Sequence, residues 1–293
     1  MNIRVLIKLL KETFKEWQQD DASSLAASLA YYTSVSLAPL LIIVISIAGA
    51  VFGEEAARGE IVSQIQGLVG TNGAELIETA IENADQPQIS NFASIISIII
   101  LLFGASGVFA QLQKSLNKVW QVQVKSEEGW KNLIRKRILS FSAILGLGFL
   151  LLVSLIISAA LSGLNHYLSD IIPGIDFLWQ VLDFCLSFVV IALVFGLMYR
   201  YLPDVKISWD DVKIGAIITA LLFTIGKFAL GLYLGRGGFG SVYGAAGSLV
   251  IILVWVYYSA QILFFGAEFT QVYARRYGSK IVPNRHARFL DQE

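Results

Sequence analysis

Four charged side chains, Asp183, Lys213, Lys227 and Glu268, stand inside runs of otherwise apolar residues, and the chemistry open to this chain starts with them. A charge in a hydrophobic setting is costly unless it is paired or serves an ion or proton pathway. Lys227 and Asp183 fall at similar depths in their runs, which predicts an ion pair. The alternative has Lys227 extending its ammonium to the surface while Asp183 faces a water-filled cavity. Glu268, with Gln261 two turns before it, is placed to face the helices around it and meet Arg135 or Arg137, and a structural anchor is the plainer reading of it. For hydrolytic or redox chemistry the residues are poor. No HxH, CxxC, GxSxG or P-loop pattern occurs, and the single cysteine, Cys185, has no partner and is expected to pack in an apolar run. Gly235, Gly237 and Gly240 do spell GxGxxG, but no strand precedes them and the position 20 residues on is Ala260, so a dinucleotide turn is rejected. No catalytic residue, metal or cofactor is assigned, and the chain is not expected to be an enzyme.

The elements that must hold these charges follow from composition. Hydrophobic residues make up 56% and charged residues 15%, with a mean hydropathy of +0.66, whereas soluble domains carry about 25% charged residues. A bilayer core needs about 20 apolar residues per helix, because each peptide group must find its hydrogen-bond partner without water. Six stretches qualify, at about 35–52, 92–110, 138–161, 177–199, 212–234 and 245–269, which predicts an all-α integral membrane protein of six spans within a transmembrane domain over 21–274.

Orientation is read from Lys and Arg. Nineteen of the 22 lie before the first span, in the second and fourth loops or in the tail, and only Arg58, Lys227 and Arg236 lie in or beside the opposite loops. Basic residues are retained on the cytoplasmic side, so both termini are expected there. His166 and His286 then fall on opposite sides and share no metal.

Residues 1–20 place Ile3, Leu6, Leu10, Phe14 and Trp17 on one helical face and Arg4, Lys8, Lys11 and Lys15 on another, the pattern of an interfacial helix. Packing on the protein's own surface is the other reading, and the two are compatible. Lys8, Lys11, Lys15 and the loop cations Arg135, Lys136 and Arg137 are the candidate contacts to anionic phospholipid headgroups. Pro39 interrupts the first span, which is expected to kink near Ala38, with Thr33, Ser34 and Ser36 available to the freed backbone. Such broken helices line substrate cavities in some transporters; an ordinary proline kink is the plainer alternative. In the external loop 53–91, helical spacing of Ile61, Ile65, Leu68 and Val69, then Leu76, Ile77 and Ile81, predicts two short amphipathic helices. Ser208 and Asp211 fit a cap on the helix after Pro203. Gly231, Gly235, Gly240, Gly244 and Gly247 suit either a re-entrant turn or a tight hairpin. Residues 275–293 read as a basic cytoplasmic tail, and small-residue faces leave a homo-oligomer open.

Four stretches, LAYYTSVSLAPLLI from Leu29, GVFAQLQKSLNKVW from Gly107, YRYLPDVKISW from Tyr199 and GAAGSLVIILVWVYYSAQILFFGAEFTQVYA from Gly244, resemble the YihY/BrkB family of bacterial inner-membrane proteins. The resemblance covers most of the chain in order. It implies six spans, inner-membrane localisation and no established catalytic set; the family's former ribonuclease BN label is regarded as mistaken, while members are linked to lipid export or ion exchange. It draws attention to Tyr31, Tyr32, Ser36, Pro39, Asn117, Pro203, Gly244, Trp255, Tyr258, Gly266 and Glu268. The leading expectation is a transporter of a lipid-like amphiphile or of ions, working between the kinked first span and the last two. A non-transporting envelope scaffold is the alternative, and a tRNA nuclease a remote one, since no nucleic-acid partner is expected.

Overall fold

A computed structural model describes residues 3–84, 106–125, 176–236, 247–278 and 281–290. Its described helices are α1 (Ile3–Gln19), α2 (Ala22–Phe52), α3 (Glu54–Ala84), α4 (106–119), α5 (Asp176–Tyr201), α6 (Trp209–Arg236) and α7 (Gly247–Tyr277). Among the described residues three segments, Phe184–Tyr201, Trp209–Leu230 and Leu249–Tyr277, are long and apolar enough to cross a membrane. A fourth joins them when Ala22–Leu37 and Leu40–Ala50, the two halves of α2, count as one span. The expected spans at 138–161 and, up to residue 105, at 92–110 lie outside the described residues, as do Arg135, Lys136 and Arg137.

The halves of α2 meet at 53°. Proline at position 39 has no N–H to offer the carbonyl four residues back, and its ring crowds that carbonyl, so a bend there is expected. Ser34 does not repair the gap as anticipated: its Oγ donates to the Ala30 carbonyl at 2.9 Å, inside the first half. Gly53, at φ 88°, then turns the chain, and its N–H closes on Gly49 O at 2.9 Å. Beyond it the sequence reading of two short external helices is corrected to one helix of 31 residues, α3. Ala57, Ala74, Ile77 and Ile81 bury along it, and Ile77 and Ile81 join Ile45, Ile251, Ile252 and Trp255 in one apolar cluster. Burial at these positions overrides the low helix propensity of Gly67, Gly70 and Gly73.

Among the described residues, α6 and α7 pack closely. A Cβ on Gly215 would collide with Thr270, and one on Gly266 with Thr219 and the Tyr199 hydroxyl. The two pairs are reciprocal, because Gly215 and Thr219 are one turn apart on α6 as Gly266 and Thr270 are on α7. Each threonine turns its hydroxyl onto its own helix, Thr219 to Gly215 O and Thr270 to Gly266 O, both at 2.7 Å. Small residues thus let the backbones approach with both threonine hydroxyls satisfied. Gly226 similarly receives the Tyr258 ring. Of the glycines singled out in the sequence, Gly231 and Gly235 continue α6 and Gly247 begins α7, whereas Gly240 and Gly244 lie outside the described residues.

To the helices the structure adds two short antiparallel ladders. β1 (Val122–Val124) pairs with β4 (Ala287–Phe289), and β2 (Val205–Lys206) with β3 (Val282–Pro283). Residues 281–290, read from the sequence as part of a basic extension, are therefore a strap across the ends of α4 and α5. Strands of two or three residues are too short to show a period, and their partners are remote in sequence. α1 packs on the last turns of α7 through Leu9, Phe269 and Val272. Both terminal segments accordingly meet at one end of the bundle.

Candidate functional site

Two polar clusters occupy that end. The first begins where α1 stops. Asp20 N donates to Glu16 O at 2.8 Å, Asp21 adopts a left-handed conformation (φ 54°), and Ser24 and Leu25 both donate to Asp21 O to start α2. Aspartate tolerates that conformation better than most residues. The turn directs the Asp20 carboxyl at Glu268 on α7, within hydrogen-bonding reach. Glu268 is 1% exposed, and among the described residues neither of its oxygens accepts a hydrogen bond; Asp20 Oδ2 is likewise buried without a donor. Among the described residues the group facing Glu268 is a second carboxyl, while Arg135 and Arg137, its expected partners, lie outside the described residues. Gln261 Oε1, two turns earlier on α7, is also buried without a donor among the described residues.

An ion-pair clasp holds the two elements together beside this pair. Arg275 Nη2 reaches Glu16 Oε1 at 2.7 Å and Glu12 Oε1 at 3.2 Å, while Arg276 pairs with Glu12 Oε2. Burial pushes the Asp20 carboxyl above its ordinary 3.8; the Glu268 contact and the charge of Lys118 oppose that, and Glu16 adds to it. Asp20 was missed in the sequence because nothing local links it to Glu268.

The second cluster is centred on Asp204, immediately after Pro203. Its Oδ2 accepts from Asn117 Nδ2 at 2.8 Å and Gln113 Nε2 at 3.2 Å, its Oδ1 lies 2.6 Å from His286 Nε2, and its N–H donates to Asn117 Oδ1 at 2.7 Å. Asn284 N closes on Asp204 O at 2.9 Å. One buried carboxylate thereby joins α4, the turn after α5 and the strap. Here every carboxylate oxygen has a partner, so the cluster reads as a structural hub. Asn117 entered the sequence reading through the family resemblance alone.

The remaining expectations divide. Lys227 is exposed, and the Asp183 side chain lies outside the described residues, so their pairing stays an expectation. Ser36 is buried, facing Gly107 of α4. Cys185, expected to pack, is exposed on α5. Ser208 does cap α6, accepting from Asp210 N at 3.2 Å. Lys8, Lys11 and Lys15 are exposed on α1, beside the exposed Ile7 and Phe14. Among the described residues no group of three His, Cys, Asp or Glu is placed to hold a metal ion.

Residues 13–291 match the family described as Virulence factor BrkB. A UPF0761 membrane protein of Actinobacillus pleuropneumoniae is 28% identical, with 91% of this chain and 92% of that protein covered. One of Verminephrobacter eiseniae is 29% identical over 90% of this chain but only 61% of its own length, and one of Psychrobacter is 26% identical over 92% of this chain and 48% of its own. The chain thus spans less than two thirds of some relatives it matches. No solved structure matches it.

Proposed function

The chain belongs to the virulence factor BrkB family, and from that premise we propose that it is a transport protein of the bacterial inner membrane. In this reading it crosses the bilayer six times with both termini in the cytoplasm and moves a lipid-like amphiphile or exchanges ions. The distribution of basic residues supports the orientation, and the meeting of α1 and the strap at one end agrees with termini on the same side.

The observation that carries the reading is the 53° break in α2. A spanning helix broken at midcourse leaves peptide groups that lipid cannot satisfy, which is tolerated where the break faces protein or a water-filled path. α2 packs along α7, and Ser36, three residues before the proline, is buried. The pathway then runs between α2 and the α6–α7 pair, with anionic phospholipids contacting the protein at the α1 end. Catalysis forms no part of this proposal.

Purified protein reconstituted into vesicles is expected to move labelled phospholipid, sodium or protons down an imposed gradient, at a rate that scales with protein content. Vesicles that behave as protein-free controls for all three would reject the transport reading.

A further inference from the structure

Carboxyl groups only accept hydrogen bonds when ionised, and two facing carboxylates with no donor between them repel. At the α1–α2 turn, Asp20 and Glu268 face each other with three of their oxygens buried and without a donor among the described residues. Charged groups do surround the pair: Glu16 from α1, Lys118 from α4 and Arg275 from α7. Arg275 is committed to Glu12 and Glu16, so it tempers the field without supplying the missing hydrogen bond.

We propose that Asp20 and Glu268 together bind a single exchangeable proton, held between the two carboxyl groups at the meeting of α1, α2 and α7. The proton comes from water at the end of the bundle where α1 lies and returns there; no other bond forms or breaks. Bound, it makes the pair one O–H···O⁻ contact carrying a single negative charge. Released, it leaves two carboxylates whose repulsion pushes the α1–α2 turn away from α7, against the restraint of the Arg275 and Arg276 clasp. That movement acts directly on α2, the broken helix. The role of this proton as the coupling ion rests on the transport reading; its binding does not.

The test is infrared difference spectroscopy of the full-length protein in lipid across a pH titration. A protonated-carboxyl band is expected to persist at neutral pH in wild type, to shift on deuteration, to vanish in E268Q and to shift in D20N, where the partner becomes an amide. Sodium added at constant pH is expected to leave the band in place. Absence of the band in wild type, an unaltered band in E268Q, or an unmoved band in a folded D20N overturns the proposal. Loss of the band on sodium addition at constant pH overturns it in favour of a cation site. In vesicles, E268Q is expected to lose movement driven by a pH gradient. If wild type moves nothing, the transport reading fails while the infrared band still decides the proton site.

Discussion

Glu268 and Asp204 are both buried acids at one end of the molecule, yet their surroundings differ completely. Asp204 has amide, imidazole and backbone partners on all sides, and removing it strands those donors. Asp204→Ala is expected to cost about 3 kcal/mol and to free the strap, read out by chemical unfolding and by proteolysis within 281–290. Asp20 shows the opposite behaviour. Its carboxyl holds a proton more tightly folded than unfolded, chiefly through burial, so its contribution is full below 3.8, the unfolded value, and is lost as pH rises through the raised folded value. Stability is expected to fall with rising pH over that window, and Asp20→Asn to flatten the dependence in unfolding measured at several pH values. Gly266 is a third residue with a sharp requirement. The space a side chain needs is taken by Thr219 and Tyr199, so Gly266→Ala is expected to destabilise by about 2 kcal/mol, seen as a lower unfolding midpoint in detergent.

At the scale of elements, α1 has three faces with three jobs. Leu9 and Thr13 bury completely, Glu12 and Glu16 clasp α7, and Ile7 and Phe14, 49% and 51% exposed, lie beside the basic row of Arg4, Lys8, Lys11 and Lys15. Docking on the protein uses a different face from the one expected at a membrane surface, so the two sequence-based readings of this helix stay compatible. Reversing Lys8, Lys11 and Lys15 to Glu is expected to weaken retention of anionic phospholipid by about 1 kcal/mol per residue, measured by native mass spectrometry of the purified protein, with the clasp intact. α3 carries the opposite lesson. Two separate runs of apolar spacing suggested two helices, but the buried Ala57, Ala74, Ile77 and Ile81 stand on one continuous helix that outlasts three weak helix formers.

For the whole molecule, the bend in α2 is the feature most directly tied to the proposed transport. Pro39→Ala restores a backbone donor at the break and is expected to straighten α2 while the α6–α7 lock, built from Gly215, Thr219, Gly266 and Thr270, stays in place. Flux in vesicles is then expected to drop several-fold with little loss of thermal stability. A straightened variant that transports as wild type would separate the bend from function.

The amino-acid order alone determined the apolar helices that the structure describes, the proline bend and the amphipathic first helix, because each depends on contiguous residues with a period that a helix repeats. It also singled out Glu268 as a costly charge. Only tertiary structure decided what faces it: Asp20 lies 248 positions earlier, and no local pattern connects an α1–α2 turn to the end of α7. The same holds for Asp204 and His286, brought together by ladders of two and three residues, and for the Gly–Thr lock, whose members look unremarkable until two helices cross. Hydrophobicity is a property of segments and can be read along a chain, whereas the partner of a buried polar group is chosen in space.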